Sequence, residues 1–123
     1  MILWLTFPYQ ALADGELVKA MADKEAFLKD VSNQKRSRWL ELITQFEKAA
    51  EVQPKKEHRA KALFMAADLA FSSWRRFKIK DDAIRTESLA KKSIKSCSRC
   101  SEASEATILV GRALLAQDRA EEA

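Results

Sequence analysis

Between Arg36 and Glu51 the apolar side chains Trp39, Leu42, Ile43, Phe46, Ala49 and Ala50 recur at i, i+3, i+4, i+7, i+10 and i+11. That period draws one face of an α-helix. Pro54 ends it, because the residue before a proline is pushed out of the helical region. The same period predicts a helix over about Glu16–Val31, with Leu17, Met21, Leu28 and Val31 on one face and Ala20 and Phe27 beside them; Ser32-Asn33-Gln34 breaks it. A third helix is predicted over about Glu57–Arg76, with the stripe Ala62, Leu63, Ala66, Leu69, Ala70 and Trp74. Its many alanines allow neighbours to approach closely on two sides. Phe77–Lys80 is read as a connection. Asp81 or Asp82 is the expected N-cap of a fourth helix, about Asp82–Cys97. Its expected inner stripe is Ala90, Ile94 and Cys97, flanked by Ile84 and Leu89. After a turn at Ser98–Ser101, a fifth helix follows with Ala106, Leu109, Val110, Ala113 and Leu114 as its apolar positions. The one β-like run, Ile108-Leu109-Val110, sits inside a helical period.

The chain starts differently. Met1–Tyr9 is apolar but far shorter than the roughly 20 residues that span a bilayer, so no transmembrane segment is expected. Ala11-Leu12-Ala13 has the small-x-small form of a signal-peptidase site, although a basic region before it is missing. Residues 1–13 are read as a truncated signal, with Asp14 as the mature start and an exported, periplasmic location, or else as an apolar arm of a cytoplasmic protein. The domain proper is expected over residues 14–117, with 118–123 as a charged tail.

Composition narrows the function classes. Among 123 residues there are only 2 Gly and 2 Pro, too few for a turn-rich β fold or a glycine-rich phosphate loop. The net charge of +4 is unevenly spread. Residues 1–54 carry 7 Lys/Arg and 8 Asp/Glu, residues 55–100 carry 13 and 5, and residues 101–123 carry 2 and 5. The basic character therefore belongs to the middle of the chain.

Helix pairs with alanine, aromatic and proline at fixed offsets point to a repeat. Leu42, Phe46, Ala49 and Pro54 fit the closing half of a tetratricopeptide unit, and Ala66-Ala67 and Val110-Gly111 occupy its small-residue places 44 positions apart. The ordinary period is 34 residues, so the middle unit carries an extension, placed in the long third helix and the Arg75–Lys80 connection. A glycine inside a helix costs about 1 kcal/mol against alanine, and close packing of a neighbouring helix is the expected reason for Gly111.

These residues resemble a known family. Lys35-Arg36-Ser37-Arg38-Trp39, Ile43 to Phe46-Glu47-Lys48, Pro54, Ala60 to Ala67, and Ala103 to Gly111-Arg112-Ala113 are similar to the tetratricopeptide-like helical region preceding the catalytic domain of some bacterial N-acetylmuramoyl-L-alanine amidases. The resemblance spans about Asp23–Leu115. Cys97-Ser98 stands where that family tends to have Tyr-Pro, and no amidase domain follows within the chain. Those amidases resemble other zinc hydrolases, and a catalytic zinc site takes three protein ligands. This chain has one histidine, His58, expected at the surface. Neither catalysis nor a metal or other cofactor is expected.

The remaining candidates concern binding. Cys97-Ser98-Arg99-Cys100 has C-x-x-C spacing, but at a helix C-terminus, where the dipole disfavours a thiolate. A buried inert Cys97 is favoured there over a structural disulfide with Cys100, and a disulfide over a redox pair. Trp74-Arg75-Arg76-Phe77-Lys78-Ile79-Lys80 interleaves rings with cations, as single-stranded nucleic acid sites do. Its rings at i, i+3 are expected to turn inward and its cations outward. Arg75, Arg76, Lys78, Lys80, Arg85, Lys92 and Lys95 are the candidate partner-binding residues.

The expected protein is thus all-α: about five helices in antiparallel pairs, stacked as a short tetratricopeptide-like array. It would bind a protein or peptide partner without catalysis. The competing reading is a nucleic-acid-binding helical domain using the basic block over residues 55–100. About two and a half units is fewer than the three a free solenoid needs, so self-association or docking on a larger protein is expected.

Overall fold

The computed structural model describes the backbone of residues 2–30 and 35–118, and the side chains from residue 15 onward within those ranges. The helices are α1 (Ile2–Lys29), α2 (Arg36–Glu51), α3 (Lys56–Phe77), α4 (Lys80–Ser96) and α5 (Glu102–Ala116). No strand or membrane-length apolar helix occurs among the described residues.

Side-chain contacts fix the helix directions. Phe27 near the end of α1 meets Trp39 near the start of α2, ring centroids 5.0 Å apart and edge to face, while Gln45 donates to Asp23. Arg36 at the start of α2 and Ser73 at the end of α3 both reach Asp82 at the start of α4. Ser93 near the end of α4 donates to the Ala60 carbonyl at the start of α3, 2.7 Å away. Gln117 after α5 donates to the Ala83 carbonyl near the start of α4 and to Glu87 one turn on. Consecutive helices are therefore antiparallel. Next-but-one helices also touch: α3 lies along α5, and Arg36 and Glu47 of α2 both bond α4.

The predicted face of α2 is the buried face, with Ile43, Phe46 and Ala49 fully enclosed. In α3, Ala60, Ala62, Ala66, Ala67 and Ala70 are buried between α2, α4 and α5. Without side chains beyond Cβ they let three helices approach a single one.

Several boundaries and faces differ from expectation. α1 begins at Ile2 rather than Glu16 and continues through Gly15, which weakens a helix without ending it when good helix formers flank it. Its expected last residue Val31, the break at Ser32–Gln34 and the tail from residue 119 lie outside the described residues. The α3–α4 connection shrinks to Lys78 and Ile79. α4 begins with Ile79 as its flanking residue and has no side-chain cap; Asp82 is buried instead of capping. The inner face of α4 is Ala83, Thr86, Leu89, Ala90, Ser93 and Cys97, while Ile84 is exposed and Ile94 only half-buried. Hydroxyls can displace isoleucines there because each finds a carbonyl: Thr86 donates to the Asp82 oxygen at 2.7 Å, and Ser93 to that of Ala60.

Gly111 needs no close neighbour. A Cβ built on it meets nothing within 4 Å. Gly111→Ala is therefore expected to stabilise the fold by about 0.5–1 kcal/mol, the helix-propensity difference, as a raised urea midpoint in dilute solution. A loss of stability would restore the packing explanation.

Candidate partner-binding surface

The α3–α4 corner gathers the densest run of candidate residues. Lys78 turns the chain in the left-handed conformation, φ 58°, and its N–H donates to the Trp74 carbonyl at 2.7 Å. Its ammonium lies 4.2 Å from the centre of the Trp74 ring, a cation–π contact. Trp74 is also stacked on Phe71, with centroids 5.7 Å apart. The Arg76 guanidinium sits 5.9 Å from the Phe77 ring centre. Trp74 and Phe77 are half-buried, whereas Arg75, Arg76, Lys78 and Lys80 are exposed around an exposed Ile79. The corner is thus a cationic rim whose rings are engaged from within.

The other candidates lie elsewhere. Arg85 is half-buried and bonds Glu47 and Thr44 of α2, so it joins two helices and leaves the free basic surface. Lys92 and Lys95 are exposed, but they lie 12 and 15 residues past Lys80, roughly 18–22 Å along α4 at 1.5 Å per residue. Cys97 and Cys100 form a disulfide across the α4–α5 turn, with Cys97 buried. His58 is half-buried in the first turn of α3, not fully at the surface. No group of three or more His, Cys, Asp or Glu side chains is placed to hold a metal ion among the described residues.

No protein-family model, curated protein or solved structure matches the chain. The comparisons therefore supply no tie to amidases, and the surface must be read from its own chemistry.

Two features escaped the sequence reading. Asp82 accepts from Arg36 Nη2 at 2.8 Å and Nε at 3.1 Å, and from Ser73 Oγ at 2.8 Å, and is buried. An acidic residue at a helix start has a local explanation, a cap, which hid a partner 46 residues away. The second is an open groove of about 250 Å³ between α3 and α5, lined by Phe64, Asp68, Glu105, Ile108, Leu109 and Arg112. The 44-residue recurrence holds its signal: it pairs Phe64 with Ile108 and Asp68 with Arg112.

Proposed function

We propose that the protein is a non-catalytic interaction module of tetratricopeptide type that engages an acidic protein or peptide through the α3–α4 corner. The carrying observation is the rim of Arg75, Arg76, Lys78 and Lys80, none of which makes an ion pair among the described residues. Four unneutralised cations within six residues attract carboxylates at long range and hold them by charge-assisted hydrogen bonds. The array reading is supported by the lateral contacts. Phe64 and Ile108 line one groove at an offset of 44 residues, and Arg36 reaches Asp82 at an offset of 46. Both are close to one repeat of helix, turn and helix. A non-catalytic role is supported by the lone histidine.

The rings favour an acidic protein over single-stranded nucleic acid. A base needs an open aromatic face to stack on. Trp74 already carries Lys78 and Phe71, and Phe77 carries Arg76.

A fluorescent poly-glutamate peptide is the direct probe, measured at 50 and 200 mM salt against a 20-nucleotide oligo-dT. The peptide is expected to bind and to weaken at least tenfold in the Arg75→Glu/Arg76→Glu/Lys78→Glu variant. Lys92→Glu/Lys95→Glu is expected to cost less than threefold. Absence of peptide binding at low salt, or equal loss in both variants, would overturn the corner as the site. Tighter binding of the oligonucleotide, sensitive to Trp74→Leu, would move the reading to nucleic acid.

A further inference from the structure

The outer side of α5 carries an observation that the corner does not explain. Ile108 is 56% exposed and Leu115 55%, on a helix that otherwise buries Ala106, Leu109, Ala113 and Leu114. Ser104, Ile108, Gly111 and Leu115 follow one another at 4, 3 and 4 residues, so they share one face. At 100° per residue that face points directly away from the buried one. Gly111 leaves a gap on it, with nothing within 4 Å of an added Cβ. Large and small side chains therefore alternate along a ridge that borders the α3–α5 groove at Ile108 and leaves more than half of Ile108 and Leu115 exposed.

We infer that this ridge is a self-complementary interface on which a second copy of the chain docks α5 against α5, antiparallel, about a two-fold axis. The register follows from the numbering. An axis midway between Leu109 and Val110 sets Ile108 against the partner's Gly111, and Leu115 against the partner's Ser104. Each bulky side chain meets a small one, and both copies use the same patch, as an isologous interface requires. Small residues at every seventh position let two helices approach closely.

Charge selects the same arrangement. Glu105 and Arg112 lie along the edge of the ridge that borders the α3–α5 groove, which Asp68 also lines, and neither forms an ion pair among the described residues. In an antiparallel pair a given edge faces its own copy. In this register Glu105 and the partner's Arg112 differ in height by two residues, about 3 Å at 1.5 Å each, within reach of an arginine. Two such pairs form by symmetry. A parallel pairing in register would put the two Glu105–Arg112 edges on opposite sides of the seam, where neither Glu105 can reach the partner's Arg112. One helix face is small beside a standard interface, which places the dimer in the weak, transient class.

The inference is separate from the acidic-partner reading, because α5 contributes nothing to the corner. Sedimentation equilibrium of the full chain with its disulfide intact is the test, from 5 µM to 500 µM. Self-association is expected within that range, with the dimer as the largest species. Ile108→Glu is expected to weaken it at least tenfold with unchanged helical circular dichroism, since the side chain it replaces is exposed. Glu105→Arg and Arg112→Glu are each expected to weaken it about tenfold, and the double swap to restore it. A monomer throughout the range, a dimer indifferent to Ile108→Glu, or a double swap that fails to recover association would overturn the proposal.

Discussion

Arg36→Met is expected to cost about 3–5 kcal/mol of folding stability, the usual penalty for stripping the partner from a buried charge. The pair is asymmetric. The Asp82 side chain is 2% exposed and that of Arg36 33%. Removing the arginine strands a carboxylate in the interior with only Ser73 donating to its side chain. Removing the carboxylate frees a guanidinium that can turn to water. Asp82→Ala is therefore expected to cost less, about 1–3 kcal/mol, chiefly for polar groups left unpaired. Arg36→Met combined with Asp82→Leu is expected to recover much of the loss, because an apolar pair needs no compensation. Urea denaturation at pH 7 measures all three. The reverse order of the single variants would refute the account.

The alkaline limit of this pair is set by Arg36. Its hydrogen bond to Asp82 holds the guanidinium above its ordinary value, against the desolvation that lowers it, with the nearby Asp82 and Asp81 charges adding to the rise. A cation whose folded value is raised contributes fully below its unfolded value, and that contribution is lost only as pH rises through the folded value. For arginine both values lie beyond ordinary alkaline conditions. The Arg36 contribution is thus expected to stay constant from pH 7 to about 10.

Why α2 was legible and the Asp82 hub was not follows from what a helical period records. Trp39, Leu42, Ile43 and Phe46 are apolar, large and regularly spaced, and every one is buried. The α4 face depends on Thr86, which bonds back to the Asp82 carbonyl, and on Ser93 and Asp82, whose burial is set by partners on other elements: Ala60 for Ser93, and Arg36 for Asp82. A pattern of apolarity therefore preferred Ile84 and Ile94. Gly111 failed in a related way. A glycine inside a helix asks for a reason, and contact within the same chain was the nearest one. The geometry leaves the space empty, so contact with another described helix is not the reason. At the corner, local spacing was enough to turn the rings in and the cations out. It could not remove Arg85, whose carboxylate partner Glu47 stands on a helix far away in sequence.

Phe46→Ala is the second large effect, expected to cost about 3–5 kcal/mol, as for other fully buried aromatic side chains. Phe46 has no exposed surface, and its neighbours in the core include the equally enclosed Ile43, Ala66 and Ala67. The lost ring removes apolar transfer energy, and the void left behind adds to it unless the walls can close in. Here α3 brings Ala62, Ala66, Ala67 and Ala70 into the core, side chains too short to swing into the space. The positions of α2 and α3 are also pinned through α4, by the bond from Arg36 of α2 to Asp82 and by the bond from Ser93 to Ala60 of α3. Collapse is therefore resisted, and the cost is expected in the upper part of that range. Ile43→Val, which removes one methylene from the same core, is expected to cost only about 0.5–1.5 kcal/mol. Thermal and urea unfolding of the two variants measure the ratio. A Phe46→Ala cost close to that of Ile43→Val would mean that α2 shifts freely over α3, and the rigid alanine interface drawn here would be wrong.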